Sequence, residues 1–297
     1  MCGIAGIVSK DKDKFVPIKK ILNLMKSRGP DSQNFKVFNS NKVKAHMFVS
    51  RLNILDLHVR SNQPLNFQNL TLFYNGEIYN FNSLKEILKS YGYKFLTNSD
   101  TEVVLKSYHK WGESCVNKFE GMWSFAVFDK KKNIIFLSRD RFGEKPLIYF
   151  FDQKNFIFGS EINYILGLID KNKVEINFNK IKSYLINGYK FLFKNNQTFF
   201  KKINYLDPGS NLTISLQNFS LTKKSFFNRN IHNQNQNINI NINEQIEKTK
   251  YLLEESVKKR LISDVPLAFC LSGGIDSGSI VSIAKKKFNK NGKCYSI

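Results

Sequence analysis

Cysteine is scarce in this 297-residue chain, and the four present, Cys2, Cys115, Cys270 and Cys294, are far apart with no short paired spacing. That excludes a cysteine-built zinc site and a disulfide framework, so reduced thiols are expected, with the last three as packing residues. Long apolar runs are missing too: nowhere do about 18 apolar residues follow one another. Nor does a basic segment followed by an unbroken apolar one open the chain, which argues against membrane spanning and secretion and makes the cytoplasm the expected location. Histidine is rare, and His46, His58, His109 and His232 lack metal-ligand spacing, so no metal site is expected in the N-terminal half. Acidic residues are the other shortage, 24 against 46 Lys and Arg, for a net charge of +22. Such an excess attracts phosphates from a distance. Here, however, the lysines are scattered through KDKDK, KKK and KKIN in a chain also rich in Asn and Ile, and no nucleic-acid-binding module is recognisable. No specific nucleic-acid partner follows. Internal repeats at solenoid or propeller periods are absent as well.

What the chain does have is 42% hydrophobic residues, ample for one large domain or two. Residues 1–225 read mainly as short strands, GIAGIV, KVFN, LTLFYN, WSFAVFD, IIFLSRD, LIYFF and NFIFGSE, rich in β-branched and aromatic residues. The spacing predicts helices in FVPIKKILNLMKS, in SLKEILKSYG, closed by Gly92, and in NSDTEVVLKSYHKWG, started by Ser99 or Asp100. Sheets plus helices suggest a layered α+β domain. Residues 226–243 read as a low-complexity Asn-rich linker or loop. Residues 244–297 read as the start of a second, α/β unit: a helix with Ile246, Leu253, Val257 and Leu261 on one face, the apolar strand VPLAFCL, the turn SGGIDSG, a helix SIVSIAKKKF and a second strand at KCYSI.

The chain opens MCGIAGIV. Residue 2 is small enough to let Met1 be trimmed, leaving Cys2 with a thiol a few bonds from its own α-amine. An α-amine titrates at roughly 7.7 to 8.0, which suits a general base near neutrality, so one residue supplies nucleophile and base.

Taken with RGPDS at 28–32, SRLNILD at 50–56, YNGEIYN at 74–80, NSDTE, FEGMWSFAVFD and SRDRFGEKPLIYF, this start resembles the class II glutamine amidotransferases, in particular the amide-transfer domain of glutamine-hydrolysing asparagine synthetases. The resemblance implies a four-layer αββα sandwich with an N-terminal nucleophile. Asn75-Gly76 alone has the sequence of a hairpin turn. The resemblance instead makes the Asn75 side-chain amide and the Gly76 backbone N–H an oxyanion hole for attack by Cys2, with glycine allowing close backbone approach. By the same resemblance Arg51 clamps the glutamine α-carboxylate with a bidentate fork. Asn75, Gly76, Glu77 and Asp100 complete the glutamine site, the two acids holding the α-ammonium. Asp100 also suits a helix start, and Arg28 and Asp31 are expected to be scaffold. Two positions depart from the family: Val49 stands where His is frequent, and Asn53 where Ser or Ala is usual.

SGGIDSG follows an apolar strand and precedes a helix, the setting in which backbone N–H groups converge on an anion. It resembles the pyrophosphate loop of the ATP-pyrophosphatase domain of the same synthetases, which use ATP and Mg²⁺ to adenylate a carboxylate before ammonia displaces AMP. Ser272, Gly273, Gly274, Asp276 and Ser277 are then expected around pyrophosphate and Leu271 beside the nucleotide, while Gly278 replaces a usual Ser. Only residues 279–297 follow, too few for a doubly wound sheet, so the second domain is expected to be incomplete. The implied reaction converts aspartate, glutamine and ATP into asparagine, glutamate, AMP and pyrophosphate. Another carboxylate acceptor, or a chain with glutaminase activity or glutamine binding alone, stays open, as does a homodimer.

Overall fold

The apolar run behind Cys2 forms a strand, β1 (Gly3–Ser9), buried along its whole length. Its side chains alternate: Ile4 and Val8 belong to one apolar cluster, Ala5 and Ile7 to another. A strand covered on both faces needs a layer on each side, and the computed structural model, which describes residues 1–227 and 241–296, supplies them. The chain divides into two units, Met1–Asn53 with His58–Asn228, and Ile54–Leu57 with Arg229–Ile297.

In the first unit β1 is followed by α1 (Ile18–Met25), β2 (Ser32–Asn39), β3 (Lys44–Arg51), β4 (Leu65–Phe67), β5 (Leu70–Ile78), α2 (Phe81–Ser90), α3 (Asp100–Trp111), β6 (Gly121–Asp129) and β7 (Ile134–Arg139). Then come β8 (Ile148–Phe151), β9 (Asn155–Gly159), α4 (Ile162–Leu168), α5 (Phe178–Asn187), β10 (Ile203–Tyr205), β11 (Ser210–Ser215) and β12 (Leu221–Ser225). Two antiparallel sheets result, ordered β10-β8-β9-β1-β3-β2 and β12-β11-β7-β6-β5-β4. Ile4, Val8, Met47, Val49 and Phe158 of the first interdigitate with Phe73, Ala126, Leu137 and Leu212 of the second. The outer face of the first sheet, through Ala5, Ile7, Phe48 and Ile157, packs on Ile21 and Met25 of α1 and Tyr164, Ile165 and Leu168 of α4. On the second sheet α3 packs through Tyr108, whose ring lies 5.3 Å from that of Phe136. This is the expected αββα sandwich.

The predicted helices form α1, α2 and α3. Gly92 follows α2 at φ +87°, and Ser99, whose hydroxyl accepts from Thr101 N–H at 3.2 Å, is the cap of α3, leaving Asp100 as its first residue. Asn75-Gly76 makes no turn: both lie inside β5, opposite Ser124 and Trp123 of β6. Helix α4 was not foreseen, because EINYILGLID is apolar enough to read as strand and Glu161 makes no capping bond. Most of the Asn-rich tract lies outside the described residues. Packing of the first unit continues past 225, since Phe226 and Phe227 N–H groups donate to Gly209 O and Phe226 stacks on Trp123 at 6.1 Å.

The second unit contains α6 (Ile242–Arg260), β13 (Ala268–Cys270), α7 (Ile275–Phe288) and β14 (Lys293–Tyr295), with β13 and β14 paired in parallel. Val257, Leu261 and Ala284 form its small core with Leu267, Phe269, Ile283 and Phe288 packed around. Ile246 and Leu253 of the expected apolar face are exposed. Of the three cysteines expected to pack, only Cys115 is buried; Cys270 and Cys294 are exposed because β13 and β14 have little covering them among the described residues. No helix among the described residues is long and apolar enough to cross a membrane.

Leu137 is fully buried between the two sheets, so Leu137→Ala should lower unfolding free energy by about 2 to 5 kcal/mol in urea titrations. A change within about 0.5 kcal/mol would mean that this interface is not the close-packed core described.

Candidate active site

Cys2 precedes β1 directly, so the central strand of a sheet anchors it. Its thiol sulfur accepts from Leu52 N–H at 3.4 Å and faces Leu52 O at 3.6 Å. Burial pushes the thiol up from its ordinary value, while the Leu52 bond, the terminal amino group and Arg51 pull it down. The RGPDS turn holds this arrangement from behind. Arg28 Nε donates to Cys2 O at 2.9 Å and its Nη1 pairs with Glu161 at 3.2 Å. Asp31 N–H donates to Arg51 O at 3.1 Å, and the Asp31 carboxylate accepts from Asn53 N–H at 2.7 Å. The turn therefore fixes both Cys2 and the segment 51–53 that carries Arg51 and the Leu52 N–H.

Arg51 ends β3, buried at 4% exposure, and its Nη1 donates to Asn62 Oδ1 at 2.8 Å. Asn75 is also buried, with Nδ2 donating to Ser124 Oγ at 3.4 Å. Gly76 has no room for a side chain: a Cβ there would lie 2.4 Å from Met122 O and 2.8 Å from Trp123 Cα. Asp100 is enclosed. Its Oδ2 accepts from Tyr74 O–H at 2.7 Å and Ile78 N–H at 2.9 Å. Burial pushes the Asp100 carboxyl above the usual range despite those bonds. Burial, then the nearby Asp100, push Glu77 up as well, and the Glu77 carboxylate has no hydrogen-bond partner among the described residues. The charges of Arg51 and Asp100 reach the Cys2 thiol, and Cys2 and Glu77 both act on Tyr74. Cys2, Arg51, Glu77 and Asp100 thus form one electrostatic neighbourhood beside Asn75 and Gly76. A thiol, a buried cation, the buried Asp100 and the half-buried Glu77 can bind a zwitterionic amino acid and attack its side chain.

Several contributors escaped the sequence reading. Asn62 lies in no quoted motif, and Tyr74 and Leu52, though inside YNGEIYN and SRLNILD, were given no role there. Glu102 of NSDTE accepts from Leu96 N–H, Thr97 N–H and Thr97 Oγ1 and pairs with Lys106, holding the loop that leads into Asp100.

Leu271, Ser272, Gly273, Gly274, Asp276 and Ser277 lie in the second unit, on the β13–α7 turn. Leu271 N–H donates to Tyr295 O at 2.8 Å, which ties the turn to β14. Gly273 has φ +80°, the left-handed region that suits glycine. Gly274 is the N-terminal cap of α7 and has no side chain to satisfy the first N–H groups. The Ser272 and Ser277 hydroxyls are 3.1 Å apart. An uncapped helix start flanked by two hydroxyls and one acid has the donor set for an anion such as pyrophosphate.

Two face-to-face antiparallel sheets between helices, with a half-buried thiol one residue ahead of the central strand, define the N-terminal-nucleophile αββα class. Within that class the chain belongs to the glutamine amidotransferase domain family, whose model matches residues 1–227, and residues 248–297 match the asparagine synthase family model. It is 34% identical to the putative asparagine synthetase [glutamine-hydrolyzing] 2 of Methanocaldococcus jannaschii, over 96% of this chain and 57% of that protein. It is 33% identical to asparagine synthetase [glutamine-hydrolyzing] 3 of Bacillus subtilis, over 99% of this chain and 47% of that protein. The chain thus spans about half the length of these relatives. The structure of B. subtilis glutamine phosphoribosylpyrophosphate amidotransferase, complexed with ADP and GMP, matches 99% of this chain and 65% of that one at a TM-score of 0.52 and 16% identity, a likeness of fold.

Because burial raises the Asp100 carboxyl, the folded chain binds that proton more tightly than the unfolded one. Its contribution therefore favours folding most at acid pH and is lost as pH rises through the raised value. Asp100→Asn keeps an acceptor for Tyr74 and Ile78 and stays neutral. Relative to wild type it should gain stability between about pH 4 and about pH 7 in urea unfolding. Parallel pH curves for the two proteins would remove burial as the cause.

Proposed function

We propose that this chain hydrolyses glutamine at Cys2 and supplies the ammonia to an ATP-activated carboxylate in the cytoplasm, in the manner of a glutamine-hydrolysing asparagine synthetase with aspartate as acceptor. The observation that carries the reading is the position of the Cys2 thiol, next to the chain's start, hydrogen-bonded to Leu52 N–H and adjoining the buried Arg51.

With Met1 removed, the Cys2 amine takes the thiol proton and sulfur bonds to the glutamine carboxamide carbon, placing negative charge on its oxygen. Asn75 Nδ2 and the Gly76 N–H receive that oxyanion; one such donor is typically worth roughly a hundredfold to a thousandfold in rate. The proton on the amine passes to the leaving nitrogen, ammonia departs, and a thioester remains. The amine then takes a proton from water, whose hydroxide adds to the thioester carbon; collapse expels the thiolate and releases glutamate. Arg51 pairs with the substrate α-carboxylate, and Glu77 and Asp100 face its α-ammonium, offsetting the cost of their burial.

In the second unit residues 271–277 are the segment proposed to hold the ATP phosphates. Mg²⁺, a hard oxygen-seeking ion, would be bound mainly through those phosphates with Asp276 beside them, since no group of three or more His, Cys, Asp or Glu side chains clusters among the described residues. Bound ATP supplies the adenylate leaving group. Ammonia kept from bulk water retains the lone pair needed to displace it.

Two measurements test this reading. Cys2→Ala should reduce glutamate release from glutamine by at least about a thousandfold, with unchanged folding by circular dichroism; residual activity within about tenfold of wild type would remove Cys2 from the chemistry. Arg51→Lys loses the planar fork and should raise the KM for glutamine by about tenfold to a hundredfold with a smaller effect on kcat. An unchanged KM would place the α-carboxylate elsewhere.

A further inference from the structure

The segment SRDRFGEKPLIYF has no assigned task, yet it is elaborately held. Asp140 is fully buried, and its carboxylate accepts from the N–H groups of Trp123, Phe142, Glu144 and Lys145 at 3.3, 3.0, 3.0 and 2.9 Å. Arg139 binds the same turn from the other side, donating to Lys145 O at 2.8 Å, Gly143 O at 2.8 Å and Leu206 O at 2.6 Å. What this double clamp delivers is the Lys145 side chain, 6% exposed, at the beginning of the polypeptide. Its ammonium has one hydrogen-bond acceptor among the described residues, the Met1 thioether at 3.3 Å. A thioether is a weak acceptor, and trimming Met1 withdraws it. A buried ammonium without a carboxylate in ion-pair contact is costly, and proteins keep such groups where the charge acts.

We propose that Lys145 is a positioning residue for the nucleophile, its fixed positive charge driving the Cys2 thiol and α-amine pair to lose its shared proton at neutral pH. The inference rests on the reading of Cys2 as the nucleophile. Thiolate with ammonium, and thiol with amine, differ only in where one proton resides, so both reactive arrangements carry one proton fewer than the resting thiol with ammonium. A neighbouring cation favours that loss whichever group gives it up. The counteracting influence is burial, which holds the thiol protonated. The other charged groups facing this end of the chain are Arg28 and Asp31 from the turn after α1, Arg51 from β3, Glu77 from β5, Asp100 from α3 and Glu144 beside Lys145. Arg28 is paired with Glu161, and Tyr74 donates to Asp100. Lys145 also acts on Glu77.

The test follows the rate of Cys2 alkylation by iodoacetamide against pH in the Met1-trimmed full chain. The N-terminal peptide is read by mass spectrometry, because exposed Cys270 and Cys294 also react. In parallel, the acid limb of kcat/KM for glutamine is recorded. Lys145→Met and Lys145→Gln should move both acid limbs up by about one pH unit, while Lys145→Arg stays near wild type. Two neutral variants are used so that one folded protein suffices. Unshifted limbs in a folded neutral variant overturn the inference, as does an Arg variant that shifts as far as the neutral ones. If alkylation shifts as expected but wild type releases no glutamate, the inference about the charge holds and the glutaminase reading fails.

Discussion

A chain terminus ordinarily frays, so a thiol at position 2 needs something to hold it in place. The hydrogen bond from Arg28 Nε to Cys2 O, backed by the pairing of β1 with β3 and β9 on its two edges, meets that need. Everything else in the candidate site is positioned relative to that anchored start. Arg51 and the Leu52 N–H come from the end of β3, the strand beside β1, so the register Gly3↔Ser50 sets where they fall. Asn75, Gly76 and Glu77 come from the facing sheet, where pairing with β6 leaves no freedom for a turn. The apolar cluster between the sheets keeps the two sets in fixed relation.

The same cluster of residues concentrates charge where burial makes it expensive. Asp100 and Glu77 are both held with carboxyls above their usual range, first by burial. Tyr74 and the Ile78 N–H satisfy Asp100 but not Glu77. A ligand ammonium would relieve both acids, and a ligand carboxylate would complement Arg51.

Much of this was legible in the sequence. The strands of the sandwich followed from β-branched and aromatic runs, and α1, α2 and α3 from apolar spacing with Ser99 and Gly92 as boundaries. Position 2, Arg51 and Asn75 to Glu77 were named from the motif resemblance, since composition alone favours a hairpin at Asn75-Gly76. What stayed hidden depends on tertiary contact. Tyr74 is an ordinary strand aromatic until Asp100 is placed against its hydroxyl. Asn62 and Leu52 act through geometry that no spacing encodes. Helix α4 lacks a capping side chain, and its residues satisfy strand and helix preferences alike. In the second unit the turn 271–277 was visible from its glycines, but the exposure of Cys270 and Cys294 was not, because a parallel strand reads as buried whether or not its neighbours cover it.

Since β1 sits in the middle of its sheet, its second edge is completed only by β9, residues Asn155–Gly159. During translation the first strand therefore leaves the ribosome long before its partner exists. Met1 itself is 53% exposed in the folded chain, so completing the sheet does not enclose it. Strand topology thus makes the locking of β1 a late event, while the residue ahead of Cys2 stays open to solvent in the folded chain.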